Sequence, residues 1–223
     1  MNRTHRPFPR RFPQVASGFL LLGLAVTGGC SSYSGPPIGQ LAGKNDVVAI
    51  RAALAQGANV DARDADGCTP LMDAAKQGAT ETAHVLLDAG ANVKAIDKYR
   101  YTPLHWAAYN GQLAVAKLLI ERGANPNARQ YLQSTPISLA AEQGYPDVVA
   151  LLLERGADPN VVDDKSFTPL HYAARGGYTE AVRQLVAHGA DPNRRDPDGM
   201  TPLDLARKAA RADTVRCLDK VTR

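Results

Sequence analysis

His105 and His171 stand in two nearly identical phrases, TPLHWAAYNG at 102–111 and TPLHYAARGG at 168–177. An imidazole can ligate a metal or act as a general base near neutral pH. Asp61, Asp64 and Asp66 crowd one short stretch, and Cys30, Cys68 and Cys217 offer thiols. None of them has the company such chemistry needs. A zinc site gathers three or four His, Cys or carboxylate ligands, yet the positions equivalent to the two histidines hold Met72, Ser138 and Asp204. His84 and His188 fall elsewhere in the pattern. No CxxC pair, HExxH, GxSxG or phosphate-binding glycine loop occurs. The histidines are therefore read as structural, the aspartates as a solvated edge, and no catalysis, metal or cofactor is expected.

The elements that must position these residues follow a fixed step. Thr-Pro recurs at Thr69, Thr102, Thr135, Thr168 and Thr201, always 33 residues apart. Gly57, Gly90, Gly123, Gly156 and Gly189, each followed by Ala, keep the same step. Constant self-similarity at this period predicts stacked repeats, because one unit cannot bury its own apolar face. Within a unit, Thr102 suits an N-cap and Pro103 the first helical position. Leu104, Ala107 and Ala108 then share one face, and Gly111 stops the helix. A second helix is predicted from about Leu113 to Glu121, and Ala124 to Ser134 project as a hairpin loop.

The phrases TPLHWAAYNG, LLIERGANPN and TPLHYAARGG resemble the ankyrin repeat, and the resemblance covers residues 36–223. It implies an all-α solenoid of about six helix-turn-helix units, at 36–68, 69–101, 102–134, 135–167, 168–200 and 201–223, with projecting β-hairpin loops. It also implies that His105 and His171 brace turns. The end units depart from the pattern as caps should: Pro36-Pro37-Ile38 replaces Thr-Pro-Leu, and Asn45 and Ala210 replace a glycine.

The N-terminus reads as an address. MNRTHRPFPRRFPQ is basic, VASGFLLLGLAVT is apolar and GGCSS is small, the order of a secretory signal at 1–29. LAVTGGC resembles the lipobox of bacterial lipoproteins. That implies lipidation of Cys30, a tether over 30–37, a repeat domain over 38–223, and a periplasm-facing anchor in the cell envelope. Ser31 after the cysteine implies the outer rather than the inner membrane. The chain has 26 basic and 22 acidic side chains. Arg3, Arg6, Arg10 and Arg11 account for the excess, so the repeat domain is formally neutral and nucleic acid is not expected as a partner.

A non-catalytic surface remains. Ankyrin-like proteins bind proteins through hairpin tips and the exposed side of the first helix. Carried onto this sequence, those columns give Lys98, Tyr99, Tyr101, Tyr109, Asn110, Tyr131, Leu132, Glu142, Lys165, Phe167 and Arg175. Tyr99, Tyr101, Tyr109 and Tyr131 suggest an exposed aromatic anchor, the usual centre of a protein interface. Trp106 and Tyr172 are weaker candidates. The expected function is a monomeric protein-interaction module. The alternatives are an immunity-type inhibitor of an envelope toxin or hydrolase and, remotely, an enzyme or oxidative-stress factor using Cys68 as a surface thiol. Cys217 is expected in the core.

Overall fold

The computed structural model describes residues 33–222, so the signal segment and Cys30 lie outside the described residues. Among the described residues twelve helices form six antiparallel pairs: α1 (Ile38–Gly43) with α2 (Val47–Ala55), α3 (Pro70–Gln77) with α4 (Thr80–Asp88), α5 (Pro103–Tyr109) with α6 (Leu113–Glu121), α7 (Pro136–Gln143) with α8 (Pro146–Glu154), α9 (Pro169–Gly176) with α10 (Thr179–Ala187), and α11 (Pro202–Lys208) with α12 (Ala212–Asp219). The first helices of the pairs stack in one row and the second helices in another. None of the described helices is long and apolar enough to cross a membrane.

Five of the first helices, α3, α5, α7, α9 and α11, start in the same way, while α1 follows Pro37 with no side-chain cap. The threonine is extended, with φ of −92° at Thr168 and −93° at Thr102, and proline follows at N1. In α3, α5, α9 and α11 the residue three positions on then accepts a hydrogen bond from the threonine N–H, whereas in α7 the Ser138 hydroxyl meets the Thr135 hydroxyl at 3.2 Å. His105 Nδ1 does so at 3.1 Å, His171 Nδ1 at 3.2 Å, Asp204 Oδ2 at 3.0 Å and Met72 Sδ at 3.4 Å. This capping role explains why one column tolerates His, Met and Asp together, which a metal site would not.

The core is a continuous stripe. Leu71, Leu104, Ile137 and Leu170 are fully buried in the first row, and Leu86, Leu119, Leu152, Leu185 and Leu218 in the second. The alanine pairs 74–75, 107–108, 140–141 and 173–174 are also fully buried, and their small side chains let successive first helices approach. Cys217, expected in the core, lies at the position of Leu118 and Leu151 but is only half-buried, on the last helix among the described residues.

Gly111 and Gly144 show how units interlock. Both take a left-handed conformation, and both lie under an aromatic ring of the next unit. A Cβ at Gly144 would stand 2.4 Å from the Tyr178 ring, and one at Gly111 would stand 2.6 Å from Tyr145. Asn45 and Ala210 hold the first and last positions of the same column among the described residues, and Asn45 is followed 34 residues on by Ala79. A side chain is tolerated at Asn45, where the next unit offers Ala79 in place of a ring and the Thr82 hydroxyl donates to Asn45 Oδ1 at 2.7 Å.

The five loops are tight hairpins. An aspartate opens most of them and its carboxylate accepts two backbone N–H groups: Asp97 Oδ1 takes those of Tyr99 and Tyr101, both at 2.9 Å. Asp64 does the same for Asp66 and Cys68, so the aspartates expected as a solvated edge include turn builders. Each hairpin closes on one outer bond, such as Asp97 N–H to the Tyr101 carbonyl at 3.0 Å, and no strand forms among the described residues. Neighbouring tips are joined: Lys98 N–H to Asp66 O, Tyr131 N–H to Tyr99 O and Asp164 N–H to Leu132 O, at 3.0–3.1 Å. Pro197 has no N–H and ends the series.

At the loop bases two further links recur. Asp61 accepts from Asn92 N–H at 3.0 Å, while Asn127 and Asn160 accept from Asp158 and Asp191 N–H at 2.9 and 2.8 Å. Arg63 and Arg129 donate to the carbonyls of Ile96 and Val162, 33 residues on, at 2.6 and 3.0 Å. The residues between them in these columns are Lys94 and Ile96, which can make neither bond. Loops 90–101 and 123–134 are thus joined at their tips and unjoined at their bases.

Candidate functional site: an aromatic and cationic face

Tyr99 and Tyr131 are the most exposed aromatic side chains among the described residues, at 54% and 69%. Their tips are tied by the Tyr131–Tyr99 backbone bond, which fixes their spacing. Lys98 pairs with Asp66 and lies 5.1 Å from the Tyr99 ring centre. Exposed rings with polar tips on a fixed backbone lose little side-chain freedom on binding.

Two aromatic clusters lie on the first row of helices. In one, Trp106 is stacked on Tyr101 at 5.0 Å, meets Tyr109 edge-on at 6.4 Å and carries the Lys76 ammonium 4.5 Å above its ring. Asp97 Oδ2 accepts from the indole N–H at 3.2 Å, so the loop aspartate orients this ring. In the other, Phe167 meets Tyr172 at 5.3 Å, and the Arg175 guanidinium lies 5.4 Å and 5.3 Å from the two rings. The Tyr172 hydroxyl donates to Asp163, and burial pushes its phenol well above the usual range. Glu142, half-buried on α7, lies between the clusters in the row. Burial pushes its carboxyl up, opposed by Arg175 and Lys165. Asn110 donates to the Trp106 carbonyl at 2.8 Å.

Two expectations fail in the same way. Tyr101, expected on the exposed anchor, is 5% exposed, and its phenol is pushed up by burial. Cys68, expected as a surface thiol, is also 5% exposed. Both hold the position just before Thr-Pro, where the side chain turns inward onto the capping residue. Tyr101 lies edge-on to His105 at 5.6 Å, and Cys68 clusters with Met72 and Ala95. The Cys68 thiol is pushed up by burial, although Lys76 Nζ stands 3.2 Å from its sulfur. A raised thiol holds little thiolate at neutral pH, so Cys68 is a packed side chain with no activated nucleophile.

The remaining sequence-derived residues divide. Tyr99, Tyr131, Lys98, Lys165 and Arg175 are exposed, while Tyr109, Asn110, Leu132, Glu142 and Phe167 are half-buried. Lys76 and Trp106 join the face, and their aromatic–cation contact crosses from α3 to α5, which no single repeat reveals. His105 is fully buried, with Nε2 donating to the Ser134 carbonyl at 3.4 Å, and burial pushes its pKa down to about 4. It is neutral at physiological pH and braces its own cap and the following loop. His171 repeats the cap, but its Nε2 closes no hydrogen bond.

The family model described as ankyrin repeats (3 copies) matches residues 40–130 and 134–220. No curated protein matches the chain. Ankyrin repeats are protein-interaction modules and are in general non-catalytic. The matched segments take in most of the sequence, and the chain belongs to the ankyrin-repeat family.

Proposed function

We propose that this chain is exported to the bacterial cell envelope, is anchored through lipidated Cys30, and holds a protein partner on the periplasmic side of the outer membrane. The observation that carries the capture reading is the pair of exposed rings, Tyr99 and Tyr131, on tips joined by one backbone bond. Aromatic anchors flanked by cations are the usual composition of an interface centre. The basic, apolar and small order of residues 1–30 supports export and anchoring.

The tether in this reading is short. Tyr33 packs on the core and donates its hydroxyl to the Pro36 carbonyl at 2.8 Å. From Cys30 to Tyr33 the chain spans at most about 10 Å, so an anchored stack would sit against the lipid surface.

The test is a crosslinked pull-down from membranes, comparing the wild type with Tyr99→Ala/Tyr131→Ala. One protein recovered by the wild type and lost by the variant is the expected result. Equal recovery would move the site off these tips. The anchor is tested separately: Cys30→Ala should shift the processed protein out of the membrane fraction, and an unchanged distribution would refute lipidation.

A further inference from the structure

The gap between the bases of loops 90–101 and 123–134 is a groove of about 330 Å³, lined by Lys94, Arg100 and Arg129, by Ile96 and Val93, and by Asn125 among others. None of its lining residues is acidic. Among the described residues, the side chains of Lys94 and Arg100 make no hydrogen bond or ion pair. Arg129 spends one nitrogen on the carbonyls of Gln133 and Val162 and keeps the rest of its guanidinium free.

The groove exists because two links are missing together. Elsewhere an Asp or Asn caps the N–H of the residue 31 positions on, as Asp61 does for Asn92 and Asn127 for Asp158. Lys94 cannot accept, and Asn125 N–H is left without a partner among the described residues. Elsewhere an arginine reaches the next loop, and Ile96 cannot. The junction between loops 156–167 and 189–200 lacks only the arginine, since Asn160 still caps Asp191. The junction between loops 90–101 and 123–134 is the one described junction that lacks both.

A third basic side chain completes the lining. Arg100 lines the groove with a φ of 65°, where the end loops place Gly67 and Gly199 at 77° and 76°. Gln133 and Ser166 share this left-handed position at 62° and 59° in the next two loops, and of the three only Arg100 lines the groove.

We infer that this groove takes a carboxylate side chain from an acidic segment of a polypeptide partner. The Asn125 N–H, the Lys94 ammonium and the Arg100 guanidinium supply donors for one carboxylate, and arginine matches it two-pronged. Ile96, 40% exposed, and Val93 give an apolar floor that an inorganic anion would not use. No aromatic ring lines the groove for a base to stack on, which disfavours nucleic acid. The assignment rests on the capture reading above and adds a second contact to it, beyond the tyrosine tips.

The experiment is fluorescence anisotropy on the full chain with a labelled hexapeptide of alternating Glu and Leu. The informative variant is Lys94→Asn/Ile96→Arg, which restores both missing links, closes the groove and leaves the net charge unchanged. The wild type should bind the peptide saturably, and this variant and Arg100→Gly should each bind at least tenfold more weakly. A Gln–Leu peptide should bind the wild type at least tenfold more weakly. Equal affinity of wild type and Lys94→Asn/Ile96→Arg, or no saturable binding to the wild type, overturns the assignment. Displacement by equimolar inorganic phosphate, or tighter binding of a single-stranded oligonucleotide, overturns the choice of a peptide. Tyr99→Ala/Tyr131→Ala should leave peptide affinity unchanged. Loss of peptide binding with retained pull-down would thus strike the groove alone, and the converse would strike the tyrosine face alone.

Discussion

Arg100, Gln133 and Ser166 take φ values of 65°, 62° and 59° at a turn position that the end loops give to glycine. A non-glycine residue in this region carries a strain of about 1 kcal/mol or more, partly offset by its lower freedom in the unfolded chain. Arg100→Gly is therefore expected to raise the stability by about 0.5–1 kcal/mol, measured as a higher urea midpoint with an unchanged slope. A fall would show that the arginine side chain contributes more to the fold than its backbone costs. His105 makes the opposite kind of argument, through pH. Its unfolded value is near 6.5 and its folded value about 4, because burial disfavours the imidazolium. The unfolded chain therefore binds more protons between these values, and stability must fall as pH drops through that window. It is fully present above about pH 6.5, and roughly 2 kcal/mol of it should be gone at pH 5. His171 is shifted in the same direction by the same cause. Urea titrations at pH 7 and 5 measure the loss, and His105→Gln should reduce it. Equal midpoints for the wild type at the two pH values would contradict the buried neutral imidazole.

Helix pairs are held in register by what lies over each connecting turn. Gly144→Ala adds a Cβ 2.4 Å from the Tyr178 ring and forces a left-handed alanine at a φ of 77°. Together these should cost about 2–3 kcal/mol. In a Tyr178→Ala background only the backbone share, about 1 kcal/mol, should remain, and the difference between the two costs is the coupling that a double-mutant cycle isolates. Additive effects would mean that the ring simply swings away. The helices themselves were open to sequence reasoning: Thr102 and Pro103 start α5, and Leu113–Glu121 is the predicted second helix residue for residue. Those elements rest on local signals, a cap, a proline and a 3.6-residue period, that need no knowledge of neighbours. The side chains at the loop ends do not. Tyr101 and Cys68 sit in hairpins, where polar exposure is the ordinary expectation, and only the neighbouring capping residues and Trp106 show that this column faces inward. The exposure of Tyr99 and Tyr131 was legible because they stand at the tips. The groove was not, although the columns from Asp61 to Asn160 and from Arg63 to Arg195 hold the signal. It needs the knowledge that their side chains cross between units.

A stack of repeats is close to one-dimensional, so its stability is a sum of units and of the interfaces between neighbours. Interfaces that differ should then unfold differently. Along the described loops, the first and third junctions carry both basal links, the fourth carries the asparagine link, and the second carries neither. The helices and the Leu71–Leu104–Ile137 stripe run unbroken through the second junction, so it remains joined. What it lacks are hydrogen bonds worth about 0.5–1.5 kcal/mol each, discounted here because the loops are wet. Lys94→Asn/Ile96→Arg should restore them and raise global stability by about 1–2 kcal/mol, with the two basic side chains of the groove that remain, Arg100 and Arg129, left in place. Amide exchange gives a sharper reading than a single midpoint. Asn125 N–H, unpartnered in the wild type, should gain protection in the variant, while Asp158 N–H and Asp191 N–H, already capped, should not change. Protection at Asn125 with weakened peptide binding would mean that the two missing links are a concession of stability to binding. Unchanged exchange at Asn125 would mean that the loops cannot approach there, and that the opening is set by the helices beneath rather than by the residues at 94 and 96.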